Sequence, residues 1–337
     1  MFQPIESANA DDLWLAAANR LLSQSKNAQA SRAGTTQEML NSVLVLSNPR
    51  NRWVVSRSPA INPAFAIAEV VWILRGRNDS AFLNYFNQSL PRYAGRGLTY
   101  HGAYGFRLRT MYGIDQVHRA YWALSSNPDS RQVVLQIWSP TADMPAPDGS
   151  AAAPDIPCNI CSLLKVRNGR LYWTQIMRSN DLFRGLPYNI VQFTTLHEVM
   201  AGWLRLELGD YLHYADSLHI YDNSIEPVAT STKVDSPQNQ DSLCASYAET
   251  ESYLEKMECL IESITHDATS ADALVAWLHD SGLPQAWRNM AVILVSEACR
   301  KRGAQEAALQ VIDACTNPLL RLLMVRWRDR LSGSSLL

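Results

Sequence analysis

Two β-prone segments, NICSLLKVR and RLYWTQIM, meet at Asn168-Gly169, the dipeptide that a tight type I′ hairpin demands. This join commits the middle of the chain to paired strands. A further strand, QVVLQIW (132–138), precedes it after the turn-rich SSNPDS. The stretch between, SPTADMPAPDGSAAAPDIP, is crowded with Pro, Gly, Ala and Asp and reads as a surface loop. Helical periodicity returns over 188–206, and YLHYADSLHIY again reads as extended. Upstream, PAFAIAEVVWILR (63–75) repeats apolar residues at helical spacing, with Asn62 as N-cap before Pro63. Glu69 interrupts its apolar stripe, and either points to the surface or sits buried beside a site. The cost of burying an unpaired carboxylate favours the surface.

Texture changes near Asp235. KVDSPQNQDS reads as a linker, and four or five amphipathic helices follow, with breaks at Asp267–Ser270, Gly282–Pro284, Gly303 and Pro318. The expected division is therefore 1–235 and a helical extension over 236–337. By size the chain could hold two or three domains, or one large α/β domain with an extension.

The chain of 337 residues carries 30 basic and 32 acidic residues, a balance that excludes a sequence-blind nucleic-acid binder. No apolar run reaches the roughly 20 residues of a membrane-spanning helix. MFQPIESANADD lacks the basic and apolar regions of a secretory signal, so a cytoplasmic location is the expectation. The six cysteines are too sparse for a disulfide scaffold. Cys158 and Cys161 form a C-x-x-C, but no second ligand pair stands at zinc spacing, and the residues after it are β-prone rather than helical. No metal is expected.

The chemistry concentrates in one stretch. Cys158 follows a proline-bearing loop, and Arg178-Ser179-Asn180-Asp181, Gly185-Leu186-Pro187-Tyr188-Asn189 and His219-Ile220-Tyr221 come after it. An arginine fork and a hydroxyl suit a phosphate, an asparagine amide can read a pyrimidine edge, and a cysteine beside arginines is a potential thiolate nucleophile. Taken singly, Arg178 and Arg131 could be surface ion-pair partners, His219 a satisfied core residue and Tyr104 plain packing.

RSNDLFRGLPYN (178–189) resembles the signature of the thymidylate synthase family, Pro157-Cys158 its nucleophile motif and HIY (219–221) its sugar-binding motif. Arg32-Ala33-Gly34-Thr35 resembles its phosphate loop, Glu69-Val70-Val71-Trp72 its acidic helix, Tyr104-Gly105 its Tyr-Gly turn and Asp129-Ser130-Arg131 its second arginine turn. All these blocks stand in family order over about residues 20–225. The resemblance implies an α/β fold with a mixed sheet flanked by helices, followed here by the all-helical extension. It implies that Cys158 adds to C6 of a uracil-type ring. Arg32, Arg178 and Ser179 would hold the 5′-phosphate, with Arg131 reaching across a homodimer interface. Asn189 would meet the base, and His219 and Tyr221 the sugar. Glu69 would order proton transfers, Tyr104 would assist loss of the C5 proton, and Asp181 would help order the cofactor, 5,10-methylenetetrahydrofolate. The implied partners are a pyrimidine nucleoside monophosphate and a second copy of the chain, with no nucleic acid and no membrane.

The chain departs from the pattern in places. Asn159 replaces a histidine beside the nucleophile and Gln132 replaces a second arginine. FLNYFNQSLPRYAGRGLTYHG (82–102) lacks the usual tryptophans, and the apolar closing tail is not recognisable. A methylase needs a closed, dry site, so these losses favour a 5-hydroxymethyl product. RSND and SLHIY likewise resemble the hydroxymethylase branch. A methyl product, as in thymidylate synthase proper, stays open. Asn189 favours uracil over cytosine. From another class, the chain could be a nucleotide-binding regulator that has lost turnover, although a pure binder needs no thiol at 158.

Overall fold

In a computed structural model, residues 3–24, 28–31, 34–266 and 268–333 are described. The chain opens with β1 (Ile5–Ser7), α1 (Ala10–Gln24), β2 (Ala28–Ser31) and the long β3 (Gly34–Leu46). A largely buried irregular stretch leads to α2 (Pro63–Leu74), where the Asn62 side chain caps the Phe65 amide. Short turns follow: α3 (Ser80–Asn84), α4 (Pro91–Ala94) and α5 (Tyr104–Phe106), which runs into a π-helical turn over Arg107–Met111. Next come α6 (Gln116–Ser126), β4 (Val134–Gln136), α7 (Pro140–Asp143), β5 (Asn159–Arg167), β6 (Arg170–Met177) and β7 (Asn180–Asp181). The long α8 (Leu186–Leu204), β8 (Glu207–Tyr221) and α9 (Asp222–Ala229) complete this part. After irregular residues 230–246 come α10 (Tyr247–Thr265), α11 (Ala271–Asp280), α12 (Gln285–Lys301), α13 (Gln305–Asp313) and α14 (Pro318–Gly333).

The strands form one mixed sheet in the order β1-β3-β8-β6-β5-β4, with β2 paired to β3 and β7 to β8. β3 runs antiparallel to β8, β8 parallel to β6, and β6 antiparallel to β5. Asn168 and Gly169 both take positive φ, 51° and 71°, as a type I′ turn requires, and place Arg167 opposite Arg170. The expected strand at 132–138 is shorter: regular pairing with β5 covers Val134–Gln136, and Val133, Ile137 and Trp138 add only irregular backbone hydrogen bonds to that strand. The loop after it is not wholly at the surface: Asp143 is buried in an ion pair with Arg107, which draws α7 inward.

Every residue of α2 except Glu69 is buried. α8 packs against it, as do α10, α12 and α14. Arg75 and Arg77, just past its end, pair with Glu251, Glu258 and Glu262 of α10. One continuous apolar cluster joins the sheet, α2, α8 and the C-terminal helices. No described helix is long and apolar enough to cross a membrane.

Candidate active site

Cys158 stands immediately before β5 and Arg178 immediately after β6, so the hairpin's antiparallel pairing sets them side by side. The Arg178 amide donates to the Cys158 carbonyl at 2.8 Å. Its guanidinium donates through Nε to Pro157 O (3.0 Å) and through Nη2 to Ile156 O (3.1 Å), with Nη2 4.0 Å from the Cys158 sulfur. Arg178 therefore fastens the loop that presents the thiol. Beside it, Asn159 is fully buried: Gln175 of β6 donates to its oxygen, while its Nδ2 has no hydrogen-bond partner.

Tyr104 enters from α5, packing on Phe193 of α8 with ring centroids 5.9 Å apart. Its turn needs Gly105, since a Cβ there would lie 2.4 Å from the Ile73 carbonyl of α2. Burial drives the Tyr104 phenol well above its ordinary value, reinforced by the negative groups it faces, Cys158, Asp155 and Glu69. The phenol thus keeps its proton at neutral pH.

Glu69 does not point out from a polar edge, as its place in the apolar stripe favours. It is partly buried, with Oε2 shielded and without a hydrogen-bond partner, because α8 and the C-terminal helices cover α2 on its remaining sides. Burial raises its carboxyl to about 7, and a hydrogen bond from Gln192 of α8 only partly offsets this.

The 178–189 segment is held from several directions. Asp181 Oδ1 accepts from the amides of Phe183 (2.7 Å) and Arg184 (2.8 Å), which shapes the turn into α8. Trp14 Nε1 and Arg57 Nε donate to the Leu182 and Phe183 carbonyls, and the Arg57 guanidinium stacks 3.8 Å from the Phe183 ring. Asn189, in the first turn of α8, donates to Gln192 and accepts from Asn180, both at 2.9 Å. Gly185 permits this packing, since a Cβ there would lie 2.9 Å from Asn180 Nδ2. Ser179 Oγ is 3.3 Å from His219 Nδ1, and the His219 and Tyr221 rings stand edge to face at 5.5 Å. Burial lowers His219 from its ordinary value, against an opposing pull from Asp181.

Cys158, Arg178, Tyr104 and Glu69 thus form one group, and Ser179, Asp181, Asn189, His219 and Tyr221 adjoin it along β7, α8 and β8. Arg131 is not brought into it. It lies exposed on the loop before β4 and makes no hydrogen bond or ion pair among the described residues. Arg32 lies outside the described residues. Gln192, His213 and Tyr211 belong to the same polar network but carry no motif. Among the described residues no two cysteines are joined in a disulfide and no cluster could hold a metal ion.

The family model for thymidylate synthase matches residues 14–268. A deoxyuridylate hydroxymethyltransferase of Bacillus phage SP01 is 36% identical over 203 residues, 57% of this chain and 52% of that protein. Another, of Pseudomonas phage M6, is 37% identical over 170 residues, 50% and 47% of the two chains. A thymidylate synthase of equine herpesvirus 2 is 32% identical over 189 residues, 48% and 63%. The chain spans about half the length of the phage relatives it matches.

Proposed function

Because the chain belongs to the thymidylate synthase family, we propose that it transfers a one-carbon unit from methylenetetrahydrofolate to C5 of deoxyuridylate, giving the 5-hydroxymethyl nucleotide. The observation that carries this is the meeting of Cys158, Arg178, Tyr104 and Glu69 from separate segments of the chain. The hydroxymethyl product is favoured over methyl by Asn159, by the absence of tryptophan over 82–102 and by the names of the phage relatives.

Two carboxylate oxygens fit the folate: Glu69 Oε2, buried without a partner, and Asp181 Oδ2, which takes no hydrogen bond among the described residues. These two residues would hold it, and when bound it supplies the one-carbon unit that joins C5. The chain's own residues do the rest. The Cys158 sulfur bonds to C6, and the electron pair of the C5–C6 double bond moves to C5, which becomes nucleophilic. Glu69, which titrates near neutrality, can both give and take a proton during this sequence. Tyr104, kept protonated, holds a hydrogen bond where the C5 proton leaves. Loss of that proton to water would let the one-carbon unit part from the folate, a second water would add its oxygen to the freed carbon to give the hydroxymethyl group, and return of the electron pair from C5 would restore the C5–C6 double bond and expel the sulfur. Ser179 and His219 would meet phosphate and sugar together with Tyr221 and Arg32. Arg131 is read as serving the partner of a homodimer, which fits its exposure. In this reading residues 1–235 carry the chemistry and 236–337 back the Glu69 helix.

Mass spectrometry of deoxyuridylate incubated with methylenetetrahydrofolate tests the reading. A hydroxymethyl group should be added by the protein and not by Cys158→Ser, which should still bind the nucleotide. A methyl group with dihydrofolate formed would replace the product assignment, and turnover by Cys158→Ser would overturn the mechanism.

A further inference from the structure

β8 runs through the site and beyond it. Its odd-numbered positions pass from half-buried Tyr221 and His219 to fully buried His213 and Tyr211. His213 Nε2 lies 2.8 Å from Asn180 Oδ1, and its Nδ1 lies 2.9 Å from the Tyr211 hydroxyl. A carboxamide oxygen only accepts, so His213 carries its proton on Nε2, and Nδ1 accepts from Tyr211. Burial lowers this imidazole to about 3, consistent with a neutral ring. Asn180 Nδ2 then donates to Asn189 Oδ1, Asn189 Nδ2 donates to Gln192 Oε1, and Gln192 donates to Glu69. Every donor in this chain faces the same way, from Tyr211 toward the carboxylate.

The direction has a physical anchor. An ionised carboxylate accepts only, so Gln192 must turn its amino group to Glu69 and its oxygen to Asn189. That demand passes along the chain. Flipping Asn189 alone would set amino group against amino group and oxygen against oxygen, leaving buried polar atoms unpaired. In its fixed orientation Asn189 keeps one N–H and one lone pair. Uracil offers N3–H and O4, whereas cytosine offers N3 and an N4 amino group, the same positions with donor and acceptor exchanged. A locked amide can match one of them, and a freely flipping amide matches both.

We propose that Tyr211, His213, Asn180 and Gln192 are positioning residues that lock the Asn189 carboxamide, and that this lock makes the site select uracil over cytosine. The proposal rests on the reading that Asn189 meets the base.

Calorimetric titration of the full chain with dUMP and dCMP at pH 8 tests it, because the two nucleotides share phosphate and sugar and differ only at the base edge. The wild type should prefer dUMP. His213→Phe and Gln192→Leu, at opposite ends of the chain, should each reduce the dUMP-to-dCMP affinity ratio about tenfold, the worth of roughly one net hydrogen bond. His213→Gln, which can still donate to Asn180, should retain most of the preference. Should His213→Phe fail to fold, Gln192→Leu decides. An unchanged ratio in a folded variant, or equal loss of both affinities, overturns the lock and leaves the proposed function standing. A wild type that binds both equally or prefers dCMP also overturns the lock. A wild type that binds neither nucleotide overturns the reading of the site and the lock with it.

Discussion

Replacing Glu69 by glutamine should stabilise the protein above neutral pH while removing its turnover. The carboxyl is raised from 4.5 to about 7 by burial, so the folded chain holds this proton more tightly than the unfolded chain does. Below about pH 4.5 both states are protonated and the group costs nothing. As pH rises from 4.5 toward 7 the unfolded chain ionises first, and stability falls. At about 1.4 kcal/mol per pH unit the loss is on the order of 3 kcal/mol once both states are ionised. Glutamine has no such titration and can still meet Gln192. The stability gap between Glu69→Gln and wild type should therefore be small at pH 4.5 and reach about 3 kcal/mol by pH 8. Urea unfolding at several pH values reads this directly, and tritium release from 5-tritiated deoxyuridylate with the folate present, expected to fall at least about a hundredfold, reads the lost chemistry. A gap that stays constant between pH 5 and 8 would refute the argument that Glu69 is held in a site hostile to its charge.

Glu198 of α8 makes the opposite prediction. Burial alone would raise it, but Arg52 and Arg50 more than reverse this and hold it below its ordinary value, so its contribution is present above about pH 4.5 and drains as pH falls. Glu198→Ala strands the buried Arg52 and should cost about 3–5 kcal/mol at pH 7, measured by urea unfolding; a loss below about 1 kcal/mol would mean that water reaches the arginine. Gly185→Ala brings a Cβ to 2.9 Å from Asn180 Nδ2 and should weaken deoxyuridylate binding roughly tenfold by calorimetry, with retained affinity indicating that the turn into α8 yields.

Much of this was written plainly in the chain. The Asn168-Gly169 hairpin, the Asn62 cap, the long helix after Pro187 and the helical breaks at Gly282–Pro284, Gly303 and Pro318 all follow local rules, because turn geometry and capping depend on neighbours in sequence. The grouping of Cys158 with Arg178 is also local, being set by one hairpin. Less legible were contacts made between elements. Nothing adjacent to Gln192 marks it, and its function arises because α8 packs on α2. His213 carries no motif, and its contact with Asn180 arises only because β7 pairs beside β8. Arg131 lies apart from the group, exposed on the loop before β4.

The burial of Glu69 carries a more general lesson about single polar residues in apolar helices. A helix at a surface needs a polar face, and a carboxylate on that face needs polar neighbours at three and four residues' spacing. In PAFAIAEVVWIL there are none: Phe65 and Ala66 precede Glu69 and Trp72 and Ile73 follow it at those intervals. Such a helix is buried on every side, so its lone carboxylate can only face an interior. Something must also cover its remaining surface, and α10, α12 and α14 do so. The change of texture near Asp235 and the carboxylate of α2 are thus linked, since the helices that begin beyond the one help keep the other out of water. The raised affinity of Glu69 for its proton follows from burial to which that cover contributes, and the proposed lock on Asn189 depends on it through Gln192.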